Sequence, residues 1–118
     1  AEAAAAAALA DRNAAQYMQV KPPLIVNFNI EGRQRFLQIH VALMARDNDI
    51  MDAISLHMPM LRNNILSLIA SQDFNTLHDF EGKKRLQSLA LKEAQRVMEQ
   101  EVGRPGIEAV LFTNFVMQ

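Results

Sequence analysis

The stretch LIVNFNIEGRQRFLQIHVALMA, residues 24–45, decides the fold of this chain. In its first half every second residue is apolar, which is the pattern of a strand with one buried face. Gly32 follows in a short polar segment and suits a tight turn, because glycine adopts positive φ at little cost. The alternation then resumes, so the stretch predicts an antiparallel β-hairpin. The predicted core-facing residues are Leu24, Val26, Phe28, Ile30, Leu37, Ile39, Val41 and Leu43.

The composition of the segment before the hairpin predicts a frayed helix or a linker. Residues 1–10 are almost entirely alanine, and so short a helix with no apolar stripe to bury is marginal in water. Pro22-Pro23 lacks backbone N–H groups and biases the preceding residue towards extended geometry. We therefore interpret the proline pair as the end of the lead-in.

Two helices are predicted after the hairpin. Polar residues suited to capping the first are Asp47, Asn48 and Asp49. Helical spacing continues to His57, and Pro59 suits the first turn of a new helix rather than an interior position. The second helix then extends to about Ala70.

A third, longer helix is predicted over residues 80–102. A short capped turn precedes it, with Asn75 or Thr76 as the cap, and the helix starts at Asp79. Gly103 and the following Arg-Pro-Gly segment end it.

The last segment, IEAVLFTNFVMQ over residues 107–118, predicts a strand with apolar residues on both faces. Strict alternation places Phe115 on one face and Phe112 on the other. Such a strand is covered on both sides or meets a partner with its second face. The order ββαααβ predicts an α+β fold with a three-stranded sheet and helices packed on one face.

Arg62 occupies an unexpected place on the second helix. At about 100° per residue it falls inside the apolar arc formed by Leu61, Ile65 and Ile69. A charge there needs water or a partner. We consider two partners: an acid of the same domain such as Asp52, Asp73 or Asp79, or a group on a neighbouring protein that accepts two hydrogen bonds from the guanidinium.

Composition excludes most chemical functions. The net charge is −1 and no basic block occurs, which argues against nucleic acid as a partner. There is no cysteine, and the three histidines, His40, His57 and His78, share no metal-binding spacing. Residues 47–52 resemble the start of a calcium loop but lack its glycine, and Met58 replaces its final acid. No catalytic motif occurs, so we predict neither an enzyme nor a cofactor.

Four segments in order resemble one family: PPLIVNFN with RFLQIHVAL, then MPMLRNNILSLIASQ, then TLHDFEGKKRLQSLAL, then VLFTNFVMQ at the C-terminus. They are similar to the periplasmic domain of the bacterial flagellar basal-body-associated FliL family, from about Tyr17 to Gln118. The pieces that carry the resemblance are Pro59-x-x-Arg62, Glu81-Gly82-Lys83 and Phe112-Thr113-x-Phe115-Val116-x-Gln118.

The resemblance implies a non-catalytic motor accessory protein that associates with the stator proteins MotA and MotB and supports them under load. It implies a fold similar to stomatin (SPFH) domains and ring-like self-association when tethered to the membrane. The family places a single inner-membrane span upstream, so residues 1–16 are expected to be an Ala-rich membrane-proximal stalk or linker and residues 17–118 the domain. Arg62, Phe112 and Phe115 are the candidate interaction or structural residues. The alternative is a stomatin-like membrane scaffold or periplasmic adaptor unrelated to motility.

Overall fold

Strands and helices follow one another in the predicted order ββαααβ. The computed structural model describes residues 14–118, so the predicted stalk over residues 1–16 lies almost wholly outside the described residues. The elements are β1 (Gln16–Ile30), β2 (Arg33–Ala45), α1 (Asn48–Leu56), α2 (Met58–Ala70), a 3-10 helix (Phe74–His78), α3 (Phe80–Val102) and β3 (Ala109–Met117).

The three strands form one antiparallel sheet in the order β1-β2-β3, with β2 in the centre. The hairpin prediction is confirmed, and Leu24, Leu37 and Ile39 are fully buried. Gly32 has a φ of 81°, as the tight turn requires. Helices α2 and α3 pack on the same face as these residues, and α2 contacts β1 while α3 contacts β3. The predicted α+β fold, with helices on one face of the sheet, is confirmed.

Strand β1 is longer than predicted because it continues through the proline pair. Val20 pairs with Val41 and Leu24 pairs with Ile39, so three residues of β1 lie opposite a single residue of β2. An edge strand with a bulge tolerates proline, since the missing N–H groups interrupt no ladder. The prediction that Pro22-Pro23 ends the lead-in is therefore wrong.

The helix boundaries follow from local chemistry. Asp47 caps α1 by accepting a hydrogen bond from the Asp49 N–H at 2.8 Å, and Pro59 lies in the first turn of α2. Gly103, with a φ of 85°, ends α3 as predicted. The cap of the 3-10 helix is Asp73 rather than Asn75 or Thr76. Its carboxylate accepts from the Asn75 N–H at 3.0 Å.

This earlier start of the 3-10 helix follows from burial. Phe74 is 1% exposed and packs against the ring of Phe28 at 5.2 Å between centroids. The helix must begin at this anchored residue, which leaves the residue before it to act as the cap.

Gly82 allows α3 to approach the 3-10 helix closely. A Cβ atom at this position would overlap the carbonyl oxygen of Thr76, which is backbone and cannot move aside cheaply. Glycine is thus required here for packing and not for a turn. The contact sets how closely the first turn of α3 approaches the 3-10 helix.

Candidate interaction surfaces

Arg62 joins α2 to the bulge of β1. Its Nε donates to the Pro22 carbonyl oxygen at 3.0 Å, and its Nη2 donates to the Pro23 carbonyl oxygen at 3.2 Å. The planar guanidinium offers two donors in a fixed fork, which suits two successive carbonyls. A lysine ammonium has no such fork.

This contact explains the charge at the margin of the apolar arc. Leu61, Ile65 and Ile69 are fully buried on the adjacent side of α2, whereas Arg62 stays partly exposed. Within residues 14–118, no ion pair joins Arg62 to any of the three acids considered as partners, so that pairing is wrong. The partners of Arg62 are instead the two carbonyl oxygens of the β1 bulge, which the alternation pattern alone could not predict.

A second bulge changes the faces of β3. His40 pairs with Asn114 and Val41 pairs with Phe112, so Thr113 is an extra residue. The Thr113 hydroxyl donates to the His40 carbonyl oxygen at 3.3 Å. The extra residue reverses the alternation. Phe112 and Phe115 consequently share one face, and the prediction of opposite faces is wrong.

Phe112 and Phe115 lie beside α3. Their ring centroids are 6.1 Å apart, and both pack against the core while staying partly exposed. The Lys83 ammonium lies 4.9 Å from the Phe115 ring centroid, within the range of a cation–π contact. Together the strand and the helix form a groove of about 270 Å³. Its lining residues are Phe80, Lys83, Lys84, Gln87, Leu111, Phe112 and Phe115.

Among residues 14–118, no helix packs on the opposite face of the sheet, and the strand register places no charged residue there. Lys21 is exposed in the β1 bulge, where the register places no side chain. The register assigns the following residues to the opposite face: Tyr17, Gln19, Ile25, Asn27, Asn29, Gln34, Phe36, Gln38, His40, Ala42, Met44, Ala109, Leu111, Asn114 and Val116. None is Asp, Glu, Lys or Arg, although 21% of the chain is charged. Tyr17 and Ile25 are each 59% exposed and Phe36 is 41% exposed. We call this surface the uncharged face.

The uncharged face was missed by sequence reasoning. The predicted core-facing positions Leu37, Ile39 and Val41 put Gln38 and His40 on the other face of β2, which agrees with the register. Tyr17, however, lies in a part of β1 that was not predicted. The alternation could have placed Ile25 and Phe36 outside, because Ile25 lies between core-facing Leu24 and Val26 and Phe36 adjoins core-facing Leu37.

Charged groups elsewhere form surface ion pairs. The Asp49 N–H, followed by Arg104 at 3.1 Å, holds the pKa of Asp47 below its ordinary value. Arg96 likewise lowers the pKa of Glu93 by donating to its carboxylate. Residues 14–118 contain no group of three or more acidic or histidine side chains that could hold a metal ion. In the same range, no helix has the length and apolar character needed to cross a membrane.

A family model for the flagellar basal body-associated protein FliL matches residues 17–118. The chain belongs to this family. A curated relative is the flagellar protein FliL of Aquifex aeolicus strain VF5, which is 25% identical over 100 residues. The alignment covers 85% of this chain and 60% of the relative, so the chain spans about 60% of that protein's length. The resemblance carried by the sequence motifs is confirmed. The family is one of flagellar basal body-associated proteins.

Proposed function

We propose that this FliL-family domain is a non-catalytic accessory of the flagellar motor that associates with the stator units, MotA and MotB. In this role it supports them at the basal body and aids motility under load. Family membership supplies the flagellar context. It favours this role over the alternative of a membrane scaffold or periplasmic adaptor unrelated to motility.

The observation that carries the proposal is the uncharged face. The centres of protein interfaces are depleted of charge and enriched in aromatic residues and methionine. Tyr17, Phe36 and Met44 on a helix-free sheet match that composition. Docking this face requires no charged group to be desolvated, which removes a main cost of association.

The proposal also includes location and assembly. The domain acts on the periplasmic side of the inner membrane, tethered by a single span, and forms ring-like homo-oligomers. Tethering raises the effective concentration of a weakly associating domain. The isolated domain is then a monomer or a mixture of oligomers in dilute solution. We retain the stomatin-like (SPFH) fold as part of this proposal.

The test introduces a charge on the uncharged face of the full-length protein in its native bacterium. Ile25→Asp should reduce swimming in viscous medium and weaken co-purification with MotB, because docking would bury an unpaired carboxylate. Filaments should still assemble. Leu56→Asp on α1 is the matched control, since Leu56 is 74% exposed and lies off the sheet.

Two outcomes would contradict the proposal. One is that Ile25→Asp and Leu56→Asp cells swim equally well and retain MotB equally. The other is that a deletion strain swims normally under load but shows a defect in membrane organisation, which would support the scaffold alternative.

A further inference from the structure

Strand β3 has a free edge. It is the last strand of the sheet among residues 14–118. Phe36 and Gln118 exchange both backbone hydrogen bonds, at 2.9 and 2.8 Å. Because an antiparallel ladder alternates, the backbone N–H and C=O groups of Phe115 and Met117 point to the free edge. These groups can accept another strand.

Helix α3 lies beside this edge and forms the other side of the groove. Gln87 of α3 donates to the Val110 carbonyl oxygen at 2.6 Å, which anchors the helix along the first half of β3. The second half, with Phe115 and Met117, continues past that contact. Residues paired with Phe115 and Met117 would share their face of the sheet and point towards α3. One such side chain would enter the groove between Phe80 and Phe115.

The charge of the groove selects the ligand. Lys83 lies over the Phe115 ring, and the Lys84 ammonium lies 5.1 Å from the Phe80 ring centroid. Among residues 14–118, neither lysine forms an ion pair with a carboxylate. Two ammonium groups can bind a carboxylate, and the aromatic rings beneath them can contact an apolar side chain next to that carboxylate.

We propose that the groove between β3 and α3 binds an extended segment of a partner protein as a fourth strand. The segment carries a carboxylate and an apolar or aromatic side chain at alternate positions on one face. Main-chain pairing with Phe115 and Met117 provides affinity, and the lysines and rings provide specificity. This surface shares Leu111 with the uncharged face, but its other lining residues do not belong to that face, so the proposal does not depend on the stator assignment.

The test uses a labelled heptapeptide, Thr-Phe-Thr-Asp-Thr-Val-Thr, whose alternate residues present Phe, Asp and Val on one face. Fluorescence anisotropy should show saturable binding that weakens as salt increases. Replacing the peptide Asp by Asn should weaken binding at least fivefold. The amide signals of Phe115 and Met117 should shift on titration.

Protein variants locate the site. The double variant Lys83→Glu with Lys84→Glu should weaken binding at least tenfold, whereas Lys92→Glu, an exposed change further along α3, should not. Phe80→Ser should also weaken binding without unfolding the domain, because Phe80 is 69% exposed. Melting temperatures of the variants verify that each is folded.

Several results would overturn the proposal. One is no peptide binding up to millimolar concentration, and another is binding that ignores both the peptide Asp and the two lysines. Preferential pelleting with phosphatidylglycerol vesicles instead of peptide binding would make the lysines a lipid site. A change in oligomeric state caused by the lysine double variant alone would make the groove a contact between copies.

Discussion

The two edge strands of the sheet, β1 and β3, differ in how many of their backbone groups can pair with another strand. On β1, Pro22 and Pro23 have no N–H groups, and Arg62 occupies both of their carbonyls. On β3, Gln87 occupies one carbonyl, that of Val110, and the backbone beyond it stays available. Natural sheets protect their edges with proline, bulges and charges. Here the two prolines and Arg62 interrupt the middle of β1, whereas β3 carries the Thr113 bulge and leaves Phe115 and Met117 open to another strand.

The largest expected effect comes from displacing helix α3, which lies beside the open edge of β3. Gly82→Ala places a methyl group on the Thr76 carbonyl oxygen and must push α3 away from the 3-10 helix. Overpacking against backbone costs about 3 kcal/mol in the free energy of unfolding. Urea denaturation of the domain measures this loss in the free energy of unfolding. Ser88→Ala, on the exposed side of the same helix, is the control and should leave the midpoint nearly unchanged. A Gly82→Ala domain as stable as this control would mean that α3 does not need the close approach.

The second prediction concerns the closed edge. Arg62→Ala removes two charge-assisted hydrogen bonds from the β1 bulge, which should lower the free energy of unfolding by about 1–2 kcal/mol, since the site is partly exposed. Arg62→Lys should retain less than half of this stabilisation, because a single ammonium cannot reproduce the fork. Amide exchange around Val20 and Leu24 should accelerate in both variants.

A different result would assign Arg62 another role. If Arg62→Ala left the melting temperature and amide exchange unchanged but abolished motility support, the residue would contact a neighbouring subunit or the stator. If neither stability nor motility changed, the hydrogen bonds to the proline carbonyls would contribute nothing measurable.

Local signals made much of the fold predictable. Alternation gave the hairpin, Pro59 separated two helices, and Gly103 ended the third. Both errors in the sheet arose at bulges, at Pro22-Pro23 and at Thr113. A bulge changes which residues share a face without altering composition, so a period of two cannot detect it.

The candidate surfaces were predictable only in part. Arg62 stood out because a charge interrupted an apolar arc, but its partners lie 39 and 40 residues away in a bulge. Phe112 and Phe115 stood out as aromatic residues in an apolar strand. The groove that they line depends on how close α3 lies to β3. The hydrogen bond from Gln87 to the Val110 carbonyl oxygen holds α3 beside β3, and it is a tertiary contact that no local pattern contains.

The smallest predicted effect is a loss of folding stability at low pH that leaves the β1 and β3 edges of the sheet unaffected. The groups that close β1 and anchor α3 are a guanidinium, an amide and backbone carbonyls; none of them is a carboxylate, the kind of side chain that titrates in the acid range. Asp47, at the start of α1, does titrate there. Its pKa is held below the ordinary value of 3.8, first by the Asp49 N–H and then by Arg104.

The sign of this effect follows from the lowered pKa. The carboxylate of Asp47 is favoured in the folded state, so its stabilisation is fully present above the unfolded pKa of about 3.9 and is lost as the pH falls through the folded value. Between pH 5 and pH 3, the wild type should therefore lose slightly more stability than Asp47→Asn, which caps α1 without titrating. At pH 3 the amide protection factors at the start of α1 should fall, while those of Val20 and Val116, whose N–H groups face β2, should stay unchanged relative to global unfolding. Lower protection factors at either edge under acid would show that a titrating carboxylate supports that edge after all.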